Sequence, residues 1–178
     1  RDEAARLGRG IALPLPTLVP DHGIIGSLRV ALSDMGFATL SIQMPVLAAD
    51  AAGAAYDPLL PEAAARIAAG ADWLRAKGHG EIFLASHSLG ARMSQHYLEG
   101  AASALPFAGW VSLGRSGPLP KLPLPVLDVY GEKDLPAVLA SAPERRAAVQ
   151  VRIAGADHFY NGKEAELAGL LKDFASGL

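Results

Sequence analysis

One serine stands in a pattern that can turn its hydroxyl into a nucleophile. Residues 86–90 read Ser-His-Ser-Leu-Gly, after an apolar run over 81–85 and before a segment compatible with a helix. This order predicts a strand, a sharp turn and a helix, which raise the hydroxyl of Ser88 above the edge of a sheet. Small residues two positions before and after the serine let the strand and the helix approach closely. Gly90 meets this need, and Ser86 stands where the usual pattern has glycine.

An acid and a histidine follow the serine, each just beyond a predicted strand. The apolar run over 126–131 is followed by a turn, so Asp134 lies just past the carboxyl end of a buried strand. The alternating segment 149–154 predicts a half-buried strand, and His158 lies in the loop that leaves it. Open parallel sheets bind ligands at the carboxyl ends of their strands. We therefore expect Ser88, Asp134 and His158 to converge on one edge of a sheet.

Three side chains of these types can cleave acyl compounds if they meet. A serine hydroxyl is a weak nucleophile until a histidine removes its proton, and an acid can hold the imidazole in the required tautomer. Ser88 and Asp134 could also be ordinary turn residues. For the acid, the sequence Gly-Glu-Lys-Asp is favourable for a turn. Three other residues remain alternatives for the acid: Asp128, Glu132 and Asp157.

The chain resembles the α/β-hydrolase superfamily from about Gly36 to its C-terminus. The resemblance is carried, in chain order, by the Ser-His-Ser-Leu-Gly turn, by Tyr-Gly-Glu-Lys-Asp ending at Asp134, and by Gly-Ala-Asp-His-Phe around His158. Together with the run that begins at this turn, the segment over 38–47 is similar to an uncharacterised bacterial branch of the superfamily. The resemblance implies an α/β fold with a mostly parallel sheet, helices on both faces and no separate cap domain.

A function follows from the same resemblance. It implies a serine hydrolase that cleaves a carboxylic ester or thioester through an acyl-enzyme on Ser88, with His158 as the base and Asp134 as the orienting acid. The implied partner is a small-molecule ester or thioester, and no cofactor is implied. The alternative is a non-catalytic α/β-hydrolase-like protein that uses its pocket or loops for binding.

The resemblance also implies two backbone N–H donors for the oxyanion. One belongs to Leu89, and the second comes from a His-Gly loop after an early strand. His22 and Gly23 could form that loop, but the three prolines in 13–21 make this stretch a poor central strand. We therefore expect a strand and its loop to be missing from the sequence near 19–21. Without such a gap, the loop containing His22 must supply the donor, or the donor is absent.

The rest of the chain alternates between helical and extended patterns. Apolar spacing, prolines and glycines predict helices over 27–35, 61–77, 136–149 with an interruption at Pro143, and 162–174, and strands over 37–44 and 109–114. This alternation favours a parallel sheet covered on both faces. We expect one domain over residues 1–178.

Two loops bear on access to the predicted site. The loops over 47–60 and 115–125 are both too short for a helical lid, so we expect an open or shallow site suited to short acyl groups. Tyr56 and Arg115 could reach a substrate from these loops, although surface positions are the simpler expectation. His87 occupies the variable position of the serine turn, where local packing or bonding is expected.

Composition excludes several other classes of function. The 16 Lys plus Arg against 18 Asp plus Glu give a net charge of −2 without a basic run, which disfavours nucleic-acid binding. The five histidines lack the spacing of a helical zinc motif and the chain has no cysteine, so no metal is expected. Every long apolar run is interrupted, so we expect no membrane span. The compartment, cytoplasmic or periplasmic, and the oligomeric state stay open.

Overall fold

One parallel sheet, with helices in the connections between its strands, forms the frame of the protein. The computed structural model describes residues 10–15, 23–48, 50–101 and 105–177. In these ranges the strands are β1 (Gly10–Leu15), β2 (Ala38–Gln43), β3 (Ile82–His87), β4 (Gly109–Leu113), β5 (Val126–Lys133) and β6 (Val149–Asp157). The α-helices are α1 (Gly23–Asp34), α2 (Leu60–Ala76), α3 (Leu89–Gly100), α4 (Pro136–Ser141) and α5 (Glu164–Ser176), and 3-10 helices cover Gly53–Leu59 and Ala142–Glu144.

The strands lie in the order β2-β1-β3-β4-β5-β6, and neighbouring strands run parallel. From β1 the chain adds β2 on one side and then returns to add β3 on the other side of β1. In open α/β sheets, such a reversal creates the crevice where ligands bind, at the carboxyl ends of the strands. The residue that follows β3 at this crevice is Ser88.

Helices cover both faces of the sheet, which confirms the predicted α/β architecture. Helices α1 and α5 pack together over one face, where Leu28 and Leu171 are buried. Helices α2 and α3 pack over the other face, where Ile67 and Met93 are buried. Strands β3 and β4 are buried along their whole length, as is typical of parallel strands between two helical layers. Within the described ranges, no helix has the length and apolar character needed to cross a bilayer.

Strand β1 corrects, for residues 13–15, the expectation that the proline-rich stretch over 13–21 is a poor central strand. It lies between β2 and β3 and contains Pro14. Its pairing with β3 ends at Ala12, opposite Leu84, while its pairing with β2 continues to Leu15. The proline therefore falls where the strand is paired with β2 alone, and such edge-like positions are where sheets accept proline. The expected gap near 19–21 lies outside the described residues.

The predicted helix over 136–149 is shorter than expected. Helix α4 ends at Ser141, and a single 3-10 turn that includes Pro143 follows it. The chain then leaves the helical path, and Arg145 inserts its side chain into the protein interior, where its Nε donates to Asp128 at 2.7 Å. The helix therefore ends near the interruption expected at Pro143, and the segment beyond it is held by the buried ion pair.

The loop over 47–60 also differs from expectation, because a 3-10 helix fills its second half. Tyr56 lies in this helix and is buried, and its hydroxyl accepts a hydrogen bond from the Leu47 N–H at 3.1 Å. The tyrosine therefore ties the loop together, and it neither reaches toward a substrate nor lies on the surface.

Candidate active site

The turn between β3 and α3 holds Ser88 in an unusual backbone conformation. Its φ of 53° and ψ of −120° lie in a region that non-glycine residues rarely adopt. Such a conformation costs on the order of 1–3 kcal/mol and persists only where neighbours enforce it. Here the Ser88 N–H donates to the Leu113 carbonyl at the end of β4 at 2.8 Å, and its carbonyl accepts from the Ala91 N–H at 3.0 Å.

The residue that departs from the usual glycine of this turn has a role in packing. Ser86 is fully buried, and its hydroxyl accepts a hydrogen bond from the Trp110 indole N–H at 2.8 Å. The tryptophan is the largest fully buried side chain of the described residues, and it needs a partner for its N–H. The serine supplies that partner and ties the turn-bearing strand to β4.

Ser88, His158 and Asp134 form one hydrogen-bonded chain. The Oγ of Ser88 lies 2.9 Å from Nε2 of His158, and Nδ1 of His158 lies 2.6 Å from Oδ1 of Asp134. The serine follows β3, Asp134 follows β5, and the histidine follows β6, so three separated strand ends position the three groups. The structure thus brings together the three side chains that the sequence analysis singled out.

The surroundings of Asp134 keep it ionised. Burial works to raise its pKa, but hydrogen bonds from His158 and from the Gly131 and Leu135 N–H groups outweigh burial and hold the pKa below its usual value. Because a carboxylate only accepts, Nδ1 of the histidine must carry the proton in this pair. The other ring nitrogen, Nε2, is then free to accept the proton of Ser88.

His87 fixes the backbone of the histidine, a role that the sequence analysis did not identify. Its Nε2 lies 2.8 Å from the His158 carbonyl oxygen, and the two rings are 4.8 Å apart. Burial and the proximity of His158 lower the pKa of His87 from 6.5 to about 4, so it is neutral near pH 7. A carbonyl can only accept, so the His87 Nε2 is the donor. The contact joins residues 71 positions apart, which is why no local pattern reveals it.

Gly114, the residue after β4, packs against both histidines. A Cβ atom at this position would lie 3.1 Å from Cε1 and Nδ1 of His158 and 3.4 Å from Nε2 of His87. The residue also has a φ of +56°, which favours glycine. The space beside the His158 ring therefore depends on the absence of a side chain here.

The other candidate acids have different partners. Asp128 is fully buried and pairs with Arg145, while Glu132 accepts from Arg152 at 2.8 Å. Asp157 accepts hydrogen bonds from the N–H groups of Phe159 and Asn161 and from the Asn161 amide, which closes the turn after β6. Asp134 is the candidate acid that hydrogen-bonds the imidazole.

A cleft of about 730 Å³ opens over Ser88 and His158. This volume lies within the range of roughly 300–1,000 Å³ that small-molecule sites occupy, so the cleft can hold a small-molecule substrate. Its walls include the polar residues Arg92, Gln95 and Glu99 of α3 and Arg115 and Ser116 of the loop after β4. Among the described residues, no group of three or more His, Asp or Glu side chains could hold a metal ion.

Arg115 corrects the expectation of a surface position. It is 7% exposed, and its Nη2 donates to the Pro118 carbonyl at 2.8 Å. Its own carbonyl accepts from Nη1 of Arg145 at 2.8 Å, so both ends of the residue are held.

Of the residues expected to donate to the oxyanion, the structure describes Leu89 and Gly23. The N–H of Leu89 is the first of α3, and the first N–H groups of a helix have no acceptor within it. His22 lies outside the described residues. Gly23 begins α1 with a φ of +61°, and it is not among the described residues that line the cleft.

Comparison with solved structures finds the same architecture in other proteins. A lidless α/β serine hydrolase from Xanthomonas campestris has a TM-score of 0.64 and 21% identity, and covers 95% of this chain and 80% of its own. Est1E from Butyrivibrio proteoclasticus has a TM-score of 0.68 and 17% identity, with 94% and 86% covered. A dienelactone hydrolase-like promiscuous phosphotriesterase from metagenomic libraries has a TM-score of 0.68 and 14% identity, with 96% and 86% covered.

No protein-family model matches the chain, and no curated protein matches it significantly. At identities of 14–21% the structural likeness establishes the fold alone. The neighbours and the parallel sheet agree, and the described residues show no separate cap. The chain therefore has the α/β-hydrolase fold and resembles that superfamily.

Proposed function

We propose that the protein is a serine hydrolase that cleaves a carboxylic ester or thioester through an acyl-enzyme on Ser88. The observation that carries this proposal is the continuous hydrogen-bonded chain from the Ser88 hydroxyl through His158 to Asp134. Three observations support it: the serine lies on a strained turn, the pKa of Asp134 is lowered, and the cleft opens over Ser88 and His158.

The first half of the reaction makes the acyl-enzyme. Nε2 of His158 takes the proton as Oγ of Ser88 attacks the carbonyl carbon, and Asp134 stabilises the imidazolium that forms. The oxyanion of the tetrahedral intermediate would accept from the Leu89 N–H. When the intermediate collapses, the bond to the leaving oxygen or sulfur breaks, and the imidazolium returns its proton to the leaving group.

The second half removes the acyl group. A water molecule gives its proton to Nε2 of His158 and attacks the same carbonyl carbon. The bond to Oγ of Ser88 then breaks, and the imidazolium protonates the serine as the carboxylic acid leaves. One ester or thioester and one water are consumed, and one acid and one alcohol or thiol are formed.

Turnover of 4-nitrophenyl esters and acyl thioesters tests the proposal. We expect Ser88→Ala to lower kcat by up to about a million-fold, because the triad acts as a unit. Ser116→Ala is the matched control, since Ser116 lines the same cleft but has no histidine partner among the described residues. The control should keep most of the activity. Equal activity of wild type and Ser88→Ala would refute the proposal.

The alternative is a binding protein with the same fold. It is favoured by one feature of the sequence, namely that the His-Gly pair expected to supply the second oxyanion donor follows a proline-rich stretch. A single donor is worth about 2.7–4 kcal/mol of transition-state stabilisation, so its absence would slow the chemistry without abolishing it. Folded wild-type protein that turns over no ester or thioester in the panel would favour the binding protein.

A further inference from the structure

Arg115 is a buried cation in the cleft for which the proposed mechanism has no use. It is 7% exposed and follows directly on Gly114, the residue that packs against the ring of His158. It also lines the same cleft as Ser88 and His158. Its Nη2 donates to the carbonyl of Pro118, which also lines this cleft, so the guanidinium lies at the cleft wall.

The charge of Arg115 is poorly compensated. The one hydrogen bond that its guanidinium makes to a described residue runs from Nη2 to the Pro118 carbonyl, and its buried Nε has no partner. No carboxylate oxygen of the described chain lies within ion-pair distance of it. Burial and the neighbouring Arg145 lower the pKa of Arg115 to about 10, so the guanidinium still carries its charge near pH 7. The carboxylates of Glu99 and Asp128 oppose this lowering only in part. A buried charge without an ion-pair partner is costly.

Two other arginines show how this protein compensates such a charge where the role is structural. Arg145 is fully buried, pairs with Asp128 and donates to three further oxygen atoms, on Arg115, Val138 and Ser141. Its Nη2 has no partner, so the ion pair is what distinguishes it from Arg115. Arg92, which also lines the cleft, donates to the Gly53 carbonyl and pairs with Asp57. Arg115 has no such ion pair, and Glu99 and Asp128 favour its charged form only from beyond ion-pair distance.

We propose that Arg115 binds a carboxylate of the substrate, so that the enzyme acts on esters or thioesters whose acyl or alcohol part is anionic. This inference rests on the hydrolase function proposed above. A guanidinium presents donors in a planar fork that matches a carboxylate, and charge-assisted bonds of this kind are strong. A singly charged group suits the site better than a phosphate dianion, because Glu99 adds a negative charge to the cleft wall.

Matched pairs of esters test the proposal. Mono-4-nitrophenyl glutarate carries a carboxylate in its acyl part, and methyl 4-nitrophenyl glutarate is its neutral counterpart. For the alcohol part, 4-acetoxybenzoate is compared with its methyl ester. In at least one pair we expect kcat/KM to favour the anionic ester by about 10- to 100-fold, the range of one charge-assisted hydrogen bond.

Variants then assign the preference to one side chain. Arg115→Met should remove the preference, Arg115→Lys should retain part of it, and Arg146→Met should leave it as in the wild type. Arg146 is the matched control, because it is exposed and likewise donates to a proline carbonyl three residues away, that of Pro143. Thermal melting establishes that each variant is folded. Arg115→Gln, which keeps N–H donors toward Pro118, replaces Arg115→Met if that variant does not fold.

The outcomes separate this inference from the proposed function. Ser88-dependent hydrolysis of neutral esters without any preference for the anionic ones would overturn the inference and leave the hydrolase intact. A preference that persists in folded Arg115→Met would also overturn it. If no ester is cleaved, calorimetric titration of Ser88→Ala with mono-4-nitrophenyl glutarate decides. Binding that is lost on adding Arg115→Met supports the carboxylate site, and no binding overturns it.

Discussion

His158 is held at three points, and each holder has a different task. Asp134 accepts from Nδ1 and fixes the tautomer, Ser88 lies at Nε2, and His87 donates to the backbone carbonyl. Gly114 leaves space for the ring. The imidazole can therefore exchange a proton with the serine without first having to find its orientation, which is what pre-organisation contributes to catalysis.

The assignment of the acid predicts different effects for two buried aspartates. Asp134→Asn should lower kcat by about 10⁴-fold, because an amide no longer selects the tautomer that accepts the serine proton. Asp128→Asn should instead destabilise the protein by about 3–5 kcal/mol, because it leaves Arg145 without its counter-charge. Ester kinetics and urea denaturation measure the two effects. A larger loss of kcat in folded Asp128→Asn than in Asp134→Asn would reassign the acid.

The close approach of Gly114 predicts a loss of activity on adding one methyl group. In Gly114→Ala the new Cβ would press on the His158 ring and also strain the backbone by about 1–3 kcal/mol. We expect kcat to fall by more than the loss of stability explains. Gly36→Ala is the control, because Gly36 also has positive φ but no atom within 4 Å of its Cβ position. If both variants lose stability and neither loses kcat, Gly114 has no role in placing the ring.

At the scale of elements, the end of each strand decides what the chain can do. Strands β3, β5 and β6 run parallel and end at the same edge of the sheet, so the residues that follow them meet although they are far apart in sequence. The chain reversal between β1 and β3 opens the crevice at Ser88. Correct registration of β3 on β4 is therefore a condition for the site.

The hydrogen bond between Ser86 and Trp110 is predicted to stabilise that registration. Ser86→Ala leaves a buried indole N–H without an acceptor, which should cost about 1–3 kcal/mol in urea denaturation. Ser112→Ala is the matched control, because Ser112 is equally buried and lies opposite Ser86 in β4, but its hydroxyl has no partner. The control should be neutral or stabilising. Equal losses in both variants would show that the hydrogen bond contributes nothing.

The sequence was sufficient for features that depend on local pattern and strand order. It predicted the α/β architecture, and it singled out Ser88, Asp134 and His158, which the structure brings together; their catalytic roles stay predictions. Features that depend on distant contacts could not be predicted. The buried pair of Asp128 and Arg145, which accompanies the early end of α4, is a contact of this kind.

Strand β1 and Arg115 show the same limit in other ways. The proline in β1 argued against a central strand, because the sequence does not reveal how far its pairing with β3 extends. The apparent surface loop after β4 turns Arg115 into the cleft, since the burial of a single side chain is set by the elements around it. Local propensity is a weak guide where tertiary packing decides.

At the scale of the whole molecule, burial of His87 links stability to pH. Its pKa is about 4 in the folded protein and about 6.5 in the unfolded chain. Between these values the unfolded chain binds a proton that the folded protein does not bind. Stability should therefore be complete above pH 6.5 and fall by about 3 kcal/mol as the pH decreases to 4. Asp134 acts in a lower window, since its pKa is lowered from 3.8.

Urea denaturation at several pH values tests this linkage. His87→Gln retains an amide donor and removes the titration, so its stability should decline less than that of the wild type between pH 6.5 and 4. The two curves should diverge across that window and run parallel above pH 6.5. Curves that stay parallel down to pH 4 would show that His87 is protonated in the folded protein, or that another group dominates.

Activation of Ser88 by His158 is the step on which the proposed hydrolysis depends, and covalent labelling with a fluorophosphonate measures it. Mass spectrometry of the digested protein locates the adduct. We predict one adduct, on the peptide that contains Ser88. In folded His158→Ala the adduct should form at least a thousand-fold more slowly, because removal of one triad member causes losses on the order of a thousand-fold or more. Labelling of Ser116→Ala should be unaffected. Folded wild-type protein that forms no adduct, or forms it equally fast without His158, would contradict the account.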